Sequence, residues 1–128
     1  MAPKASFKTT KVTFGNHSFK ARVADTEKDR EKGLSGTAKL APDEAMLFVM
    51  DSPSNACFWM KDMLYNLDIV WFDADRQLVY QKVNLPPSSY PNNYCSPQNA
   101  KYVLELPAGT LSGLSVAPNT PVYFDYKP

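Results

Sequence analysis

The chain has 128 residues, 44% of them hydrophobic and 21% charged, which is the size and composition of one folded domain. The net charge of +1 gives no support for nucleic-acid binding, and no apolar run approaches the roughly 20 residues of a membrane-spanning helix. We therefore expect a single domain over residues 7–128, and the strand pattern described below predicts that it is a β domain. Residues 1–6 are expected to be a disordered tail or the remnant of an added start.

The N-terminal part predicts two strands and one short helix. Residues 7–14 alternate like a half-buried strand, GNHS predicts a turn, and FKARVA predicts the returning strand. Thr26 is the expected N-cap of a helix over EKDREK, and Gly33 its C-terminal cap. Residues 1–40 hold nine Lys and Arg against four Asp and Glu. We interpret this excess as a solvated hairpin surface, with a basic face for an anionic partner as the alternative.

The rest of the chain predicts further short strands. AMLFVM, residues 45–50, is a continuous apolar run typical of a buried strand. More strands are predicted at residues 57–61, 67–73, 77–83, 101–106 and 121–126. The segment 84–99 is rich in Pro, Ser and Asn, which predicts a functional or pinned loop. This pattern predicts a mainly β fold, a compact barrel or sandwich of mostly antiparallel strands with one short helix near residues 26–33.

Four segments resemble the domain of unknown function family 192. They are REKGLSG at 30–36, AMLFVM at 45–50, FWMKDMLYNLDIVWFD at 58–73 and AKYVLELPAG at 100–109. The resemblance covers roughly residues 18–126 and implies a mainly β domain of bacteria and archaea, often exported, without an established activity. Ala45 stands where the family has glycine, which argues against a positive φ there. Asp62 stands where the family usually has asparagine, which makes the local charge more negative.

Two cysteines and one histidine are too few for a typical zinc site, so we predict no metal and no cofactor. A disulfide between Cys57 and Cys95 would close a loop of 38 residues and stabilise the fold by roughly 4 kcal/mol. Two free thiols are the alternative. We favour the disulfide and an exported monomer, periplasmic or on the cell surface, with a leader or anchor absent from this chain. A cytoplasmic location is the other interpretation.

Three charged residues, Lys61, Asp68 and Glu105, lie within otherwise apolar predicted strands. Because side chains alternate along a strand, each shares a face with apolar or aromatic groups. If the three converge, they form a charged cluster in an apolar surround. The structural alternative is a buried ion pair that fixes strand register, or single charges on a wet face.

Several residues are candidates for ligand binding. Arg30 is either an anion clamp or a cation that complements the helix dipole. Tyr90 and Tyr94 are either a lid or the packing of their own loop. The candidate site comprises Arg30, Trp59, Lys61, Asp62, Asp68 and Glu105, with Tyr90 and Tyr94 from the loop.

The sequence favours a non-catalytic binding module for a small polar ligand, a glycan or a protein segment. One alternative is an interaction domain that uses the 84–99 loop or the basic N-terminal hairpin. The other is a small hydrolase or lyase, with Asp68 or Glu105 as general acid or base and Lys61 or Arg30 stabilising an anion. No histidine is placed for a catalytic triad, so no catalytic residue is assigned and catalysis ranks last.

Overall fold

The computed structural model describes residues 8–114 and 116–126, and the predicted tail at residues 1–6 lies outside them. A seven-stranded sheet has the order β6-β5-β8-β3-β2-β1-β9, and β4 pairs with β7 in a separate two-stranded sheet. The elements are β1 Thr9–Phe14, β2 His17–Ala24, α1 Glu27–Lys32, β3 Glu44–Ser54, β4 Cys57–Phe58, β5 Leu67–Phe72, β6 Leu78–Leu85, β7 Tyr94–Cys95, β8 Ala100–Pro107 and β9 Val122–Phe124, with 3₁₀ turns at Pro87–Ser89 and Leu111–Gly113.

The large sheet curls until its two edges touch at one end. The backbone N–H of Leu78 donates to Thr120 O at 3.0 Å, and that of Val122 donates to Arg76 O at 2.9 Å. Across the interior, the rings of Phe14 on β1 and Phe72 on β5 meet edge to face at 5.2 Å. The predicted mainly β architecture is therefore confirmed, in the form of a curled half-barrel.

Strict alternation of side chains divides the core between the two faces of this sheet. The concave face holds the inner cluster, which includes Phe14, Phe19, Leu47, Val70, Phe72 and Leu104. The convex face holds the outer cluster, which includes Met46, Phe48, Met60, Ile69, Trp71 and Val103. All six residues of β5 are buried because both faces of this strand are covered. This double burial explains the unbroken apolar character of LDIVWF.

The helix α1 connects the parallel neighbours β2 and β3. Thr26 caps it as predicted, because its side chain accepts a hydrogen bond from the Asp29 N–H at 3.1 Å. Gly33 ends the helix with φ 49°. A Cβ built at Gly33 would lie 3.3 Å from the Phe48 ring, so glycine allows the helix end to lie close to the outer cluster.

The segment after β3 differs from its predicted form. The predicted strand 57–61 is regular only at Cys57 and Phe58, and it pairs with Tyr94 and Cys95 rather than with β5. Lys61 and Asp62 lie in a turn. The predicted disulfide joins Cys57 to Cys95. It fixes the 84–99 segment to β4, and the Ser96 N–H also donates to Ala56 O at 3.2 Å.

Candidate functional site

A cleft of about 290 Å³ opens on the convex face of the sheet, between α1 and β4. We call it the α1–β4 cleft. One wall consists of α1 and the residues after it, through Ser35, and the opposite wall consists of Cys57, Phe58 and Trp59. Phe48 and Met50 of β3, together with Glu105 of β8, also line it. The cleft thus lies over the centre of the sheet, where β3 and β8 pair.

Glu105 is the buried charged residue of this cleft, with 4% of its surface exposed. Burial raises the pKa of its carboxyl group to about 8. No hydrogen bond or ion pair to this carboxylate is found among residues 8–114 and 116–126. Every fully buried side-chain oxygen and nitrogen of the described residues does have a partner. The carboxylate oxygens of Glu105 are therefore open to the cleft.

Tyr65 lies near Glu105 on the same side of the sheet and packs against the outer cluster. Its hydroxyl group forms a hydrogen bond with Thr37 Oγ1 at 3.1 Å. Burial raises the pKa of Tyr65, and the charge of Glu105 raises it further. The phenol of Tyr65 is consequently a neutral neighbour of Glu105 at physiological pH.

Arg30 lines the cleft but does not present a free guanidinium fork. Its Nη1 donates to Val49 O at 3.0 Å, and its Nη2 donates to Asp51 Oδ2 at the same distance. The Arg30 side chain is 13% exposed, whereas that of Asp51 is 85% exposed. Arg30 therefore ties α1 to the end of β3, and its charge is already paired with that of Asp51.

Trp59, Lys61 and Tyr90 lie together at the rim of the cleft. The ammonium group of Lys61 lies 5.6 Å from the centre of the Trp59 ring. The Tyr90 ring meets Trp59 edge to face at 5.1 Å, so the long loop does reach the site. Trp59 remains 45% exposed. This group is an aromatic platform that already accepts an ammonium group on one ring.

Asp62 supports the wall through its backbone. Its φ is 58°, in the left-handed region that Asn and Asp adopt more readily than other non-glycine residues. Its carbonyl oxygen accepts the Gly36 N–H at 2.9 Å, and the Ser35 hydroxyl donates to Lys61 O at 2.9 Å. The turn is thereby joined to the segment after α1. This conformation explains why aspartate can stand at position 62 in place of the asparagine that the family usually has there.

Asp68 does not join the cleft. It pairs across the sheet with Leu106, whereas Ile69 pairs with Glu105, so the two acids point to opposite faces. Asp68 is fully buried, and its two oxygens accept the backbone N–H groups of Asn84 at 2.8 Å and Leu111 at 3.0 Å. It fixes β6 and a 3₁₀ turn to β5. The charged cluster considered for Lys61, Asp68 and Glu105 therefore does not include Asp68, because register places it on the opposite face of the sheet from Glu105. Lys61 lies in the turn after β4 and not within a strand.

Four cleft residues were not singled out from the sequence, and the predicted Tyr94 lies behind them. Phe58, Met63 and Met50 line the cleft beside Glu105, and Phe48 lies against the ring of Phe58 at 4.9 Å. Tyr94 pairs with Phe58 and packs on the outer cluster. Gly33 in REKGLSG could have pointed to a large side chain such as Phe48 at this place, because a glycine at a helix end permits the close approach of a ring.

A wider depression of about 700 Å³ is lined by Leu40, Pro42, Pro107, Leu114 and neighbouring residues. No buried polar or charged side chain lines it, among the residues that the structure describes. Recognition sites combine apolar walls with a few converging polar groups, and the α1–β4 cleft fits that description better.

Two features are absent from the described part of the chain. No helix there is long and apolar enough to cross a membrane. No group of three or more His, Cys, Asp and Glu side chains within residues 8–114 and 116–126 is arranged to hold a metal ion.

The model of the family DUF192, described as uncharacterised ACR, matches residues 9–124. A UPF0127 protein of Thermococcus sibiricus is 30% identical over 98 residues, which are 75% of this chain and 60% of that protein. A UPF0127 protein of Thermococcus kodakarensis is 29% identical over 99 residues, 76% of this chain and 59% of that protein. The match thus spans only about three fifths of the length of these curated relatives.

Two crystal structures share the fold. A protein of Sinorhizobium meliloti, provisionally described as a transcription regulator, superposes with a TM-score of 0.88 and 27% identity, covering 95% of this chain and 98% of that one. A protein of unknown function from Novosphingobium aromaticivorans has a TM-score of 0.88 and 26% identity, covering 96% of this chain and 90% of that one.

Proposed function

Because this chain belongs to the DUF192 family, whose description carries no activity, we propose its function from the cleft: it is a binding module that takes a small polar ligand in the α1–β4 cleft. The observation that carries the proposal is Glu105, a buried carboxyl group that is open to the cleft and has no protein partner among the described residues. Burying such a group costs stability, so a ligand that binds it compensates for part of that cost.

The size of the cleft favours a small ligand over a glycan or a protein segment. Its volume of about 290 Å³ lies at the lower end of the roughly 300–1,000 Å³ that is usual for small-molecule sites. Aromatic and thioether side chains line it beside the single buried carboxyl group. An extended chain would reach past the cleft onto Trp59 and Tyr90, which makes this rim the place for a larger ligand's second contact.

Methionine-methyl NMR with a mixed set of small cations, anions and neutral molecules tests this proposal. Met50 and Met63 line the cleft, while Met60 is buried in the outer cluster without lining the cleft and serves as the internal reference. We expect at least one class to shift the Met50 and Met63 signals saturably. Glu105→Gln should weaken that binding by tenfold or more, and Asp75→Asn, which changes an exposed turn residue, should not.

If no molecule of any charge shifts the Met50 and Met63 signals, the proposal is contradicted. Consumption of a bound molecule over time would instead favour the hydrolase or lyase alternative, with Glu105 as its acid. A bound molecule that remains unchanged supports the non-catalytic module.

A further inference from the structure

The lining of the α1–β4 cleft restricts the chemical class of its ligand. Glu105 supplies a carboxylate at the centre of the sheet, and Phe58 and Trp59 supply aromatic rings on the β4 side. Met50 and Met63 add polarisable thioethers. A carboxylate beside aromatic rings in an apolar surround is the chemistry that recognises a weakly hydrated organic cation.

Building on the proposed binding role, we propose that the α1–β4 cleft recognises an organic ammonium group, which pairs with the Glu105 carboxylate and lies against the rings of Phe58 and Trp59. The ammonium group of Lys61 lies 5.6 Å from the centre of the Trp59 ring, which is the kind of contact that a ligand ammonium group would make with this ring. A ligand ammonium reaches the deeper position, where Glu105 offers an opposite charge.

The basic residues of the cleft do not make it an anion site. The guanidinium group of Arg30 is engaged by Val49 O and Asp51, and Lys32 is exposed at the end of α1. Glu27 and Glu31 also line the cleft, so its acids outnumber its bases. An anion entering the site would meet these acids and would keep Glu105 protonated.

Binding of a cation requires Glu105 to lose its proton. With a pKa of about 8, roughly one tenth of Glu105 is ionised at pH 7 and about nine tenths at pH 9. The apparent affinity for a permanent cation therefore rises about tenfold over this range. The other charged or titratable groups near Glu105 are Glu27, Arg30, Glu31 and Lys32 on the helix side, Tyr65, and, acting on Tyr65, Arg22 of β2 and Glu44 of β3.

The test uses three probes of nearly the same shape. Choline is a permanent cation, 3,3-dimethyl-1-butanol is its neutral carbon isostere, and 3,3-dimethylbutanoate is a related anion. Each is titrated at matched ionic strength into protein labelled at the methionine methyl groups, at pH 7 and pH 9. We expect choline to shift Met50 and Met63, to bind at least tenfold more tightly than the isostere, and to gain about tenfold in affinity at pH 9.

Glu105→Gln should reduce choline to the level of the isostere and abolish the pH dependence. If that variant does not fold, the change in choline affinity of the unaltered protein between pH 7 and pH 9 still tests the inference. Choline binding that weakens as pH rises, or that equals binding of the isostere, would overturn the inference. Binding of the anion or the alcohol alone would overturn it too while leaving the proposed binding function intact. If none of the three probes binds, and no molecule of the mixed set of cations, anions and neutral molecules binds, then both the ammonium site and the proposed binding function are contradicted.

Discussion

Glu105 makes the stability of the free protein depend on pH in a direction opposite to that of most carboxylates. Its pKa is about 8 in the folded chain against 4.5 for an ordinary glutamate, so the folded state binds the extra proton between these values. The contribution of this group to the free energy of unfolding is fully present below about pH 4.5 and is lost as pH rises from there through 8. The loss amounts to up to about 5 kcal/mol in the free energy of unfolding.

We therefore expect the difference in unfolding free energy between Glu105→Gln and the unaltered protein to grow in favour of the variant from pH 5 to pH 9. Glutamine keeps the shape and cannot ionise, so the two proteins should be similar at pH 5. Urea unfolding at several pH values measures this difference. A difference that stays constant across the range would show that Glu105 is ionised and solvated in the folded state.

The sequence predicted which neighbours share a face with Glu105 and with Asp68, but it left open whether these two acids meet. Alternation correctly placed Glu105 with Val103 and Asp68 with Val70 and Phe72. The relation between the two strands depended on register, which is decided by long-range pairing and not by either strand alone. Only the observed pairing of Ile69 with Glu105 shows that the two acids lie on opposite faces.

At the scale of elements, β4 and β7 form the least self-sufficient part of the fold. They pair over two residues each, and the Cys57–Cys95 disulfide joins them. Two strands of this length do not hold together without further support. Because β4 carries Phe58 and precedes Trp59, the disulfide maintains one wall of the α1–β4 cleft.

Reduction of the disulfide should lower the free energy of unfolding by about 4 kcal/mol, since it frees a loop with a sequence separation of 38. Hydrogen exchange should rise first in the peptide that contains residues 57–59, while β5 remains protected. Hydrogen exchange followed by mass spectrometry, with and without dithiothreitol, measures the local rise at residues 57–59 and, from the slowest-exchanging amides, the loss of unfolding free energy. The Cys57→Ser/Cys95→Ser protein is the control, because reductant should not change it. Equal exchange in residues 57–59 with and without the disulfide would contradict this role.

The limits of β4 could not be read from the sequence. FWMKD has the alternation of a strand, but a strand also needs a neighbour, and regular pairing at residues 57 and 58 ends before the turn at Lys61 and Asp62. The helix was predicted closely because its signals are local: Thr26 at the start and Gly33 at the end.

At the scale of the whole molecule, Arg76 fastens the two edges of the curled sheet. Its Nη1 donates to Phe124 O at 2.6 Å, and its guanidinium group lies 3.8 Å from the centre of the Phe124 ring. Backbone bonds of Leu78 and Val122 cross the same seam. The side chain of Arg76 thus links the turn before β6 to β9.

Arg76→Met keeps the length of the side chain and removes its charge and donors. We expect a loss of about 2 kcal/mol in unfolding free energy, from a charged hydrogen bond and a cation–π contact. Hydrogen exchange of the Leu78 and Val122 amides should rise more than that of the central strands. Lys11→Met, at an exposed position of β1, is the surface control and should change neither quantity. Seam amides that stay protected in Arg76→Met would show that the backbone bonds suffice.

The mainly β class followed from short strands and turn residues, but the order of the strands did not. The sheet contains one parallel pair, β2 with β3, and it places the late strand β8 between β3 and β5. Such an arrangement depends on contacts between residues far apart in the chain, for which local propensity carries no signal.

The position of β8 has a consequence for synthesis on the ribosome. The growing chain can pair β1, β2 and β3 as one group and β5 with β6 as another, and β8 later pairs with both groups along its length, through β3 and β5. Until residue 107 has emerged, both groups expose an open apolar edge at the future centre of the sheet, where unfinished chains are prone to associate. The arrival of β8 therefore covers both of these edges at once.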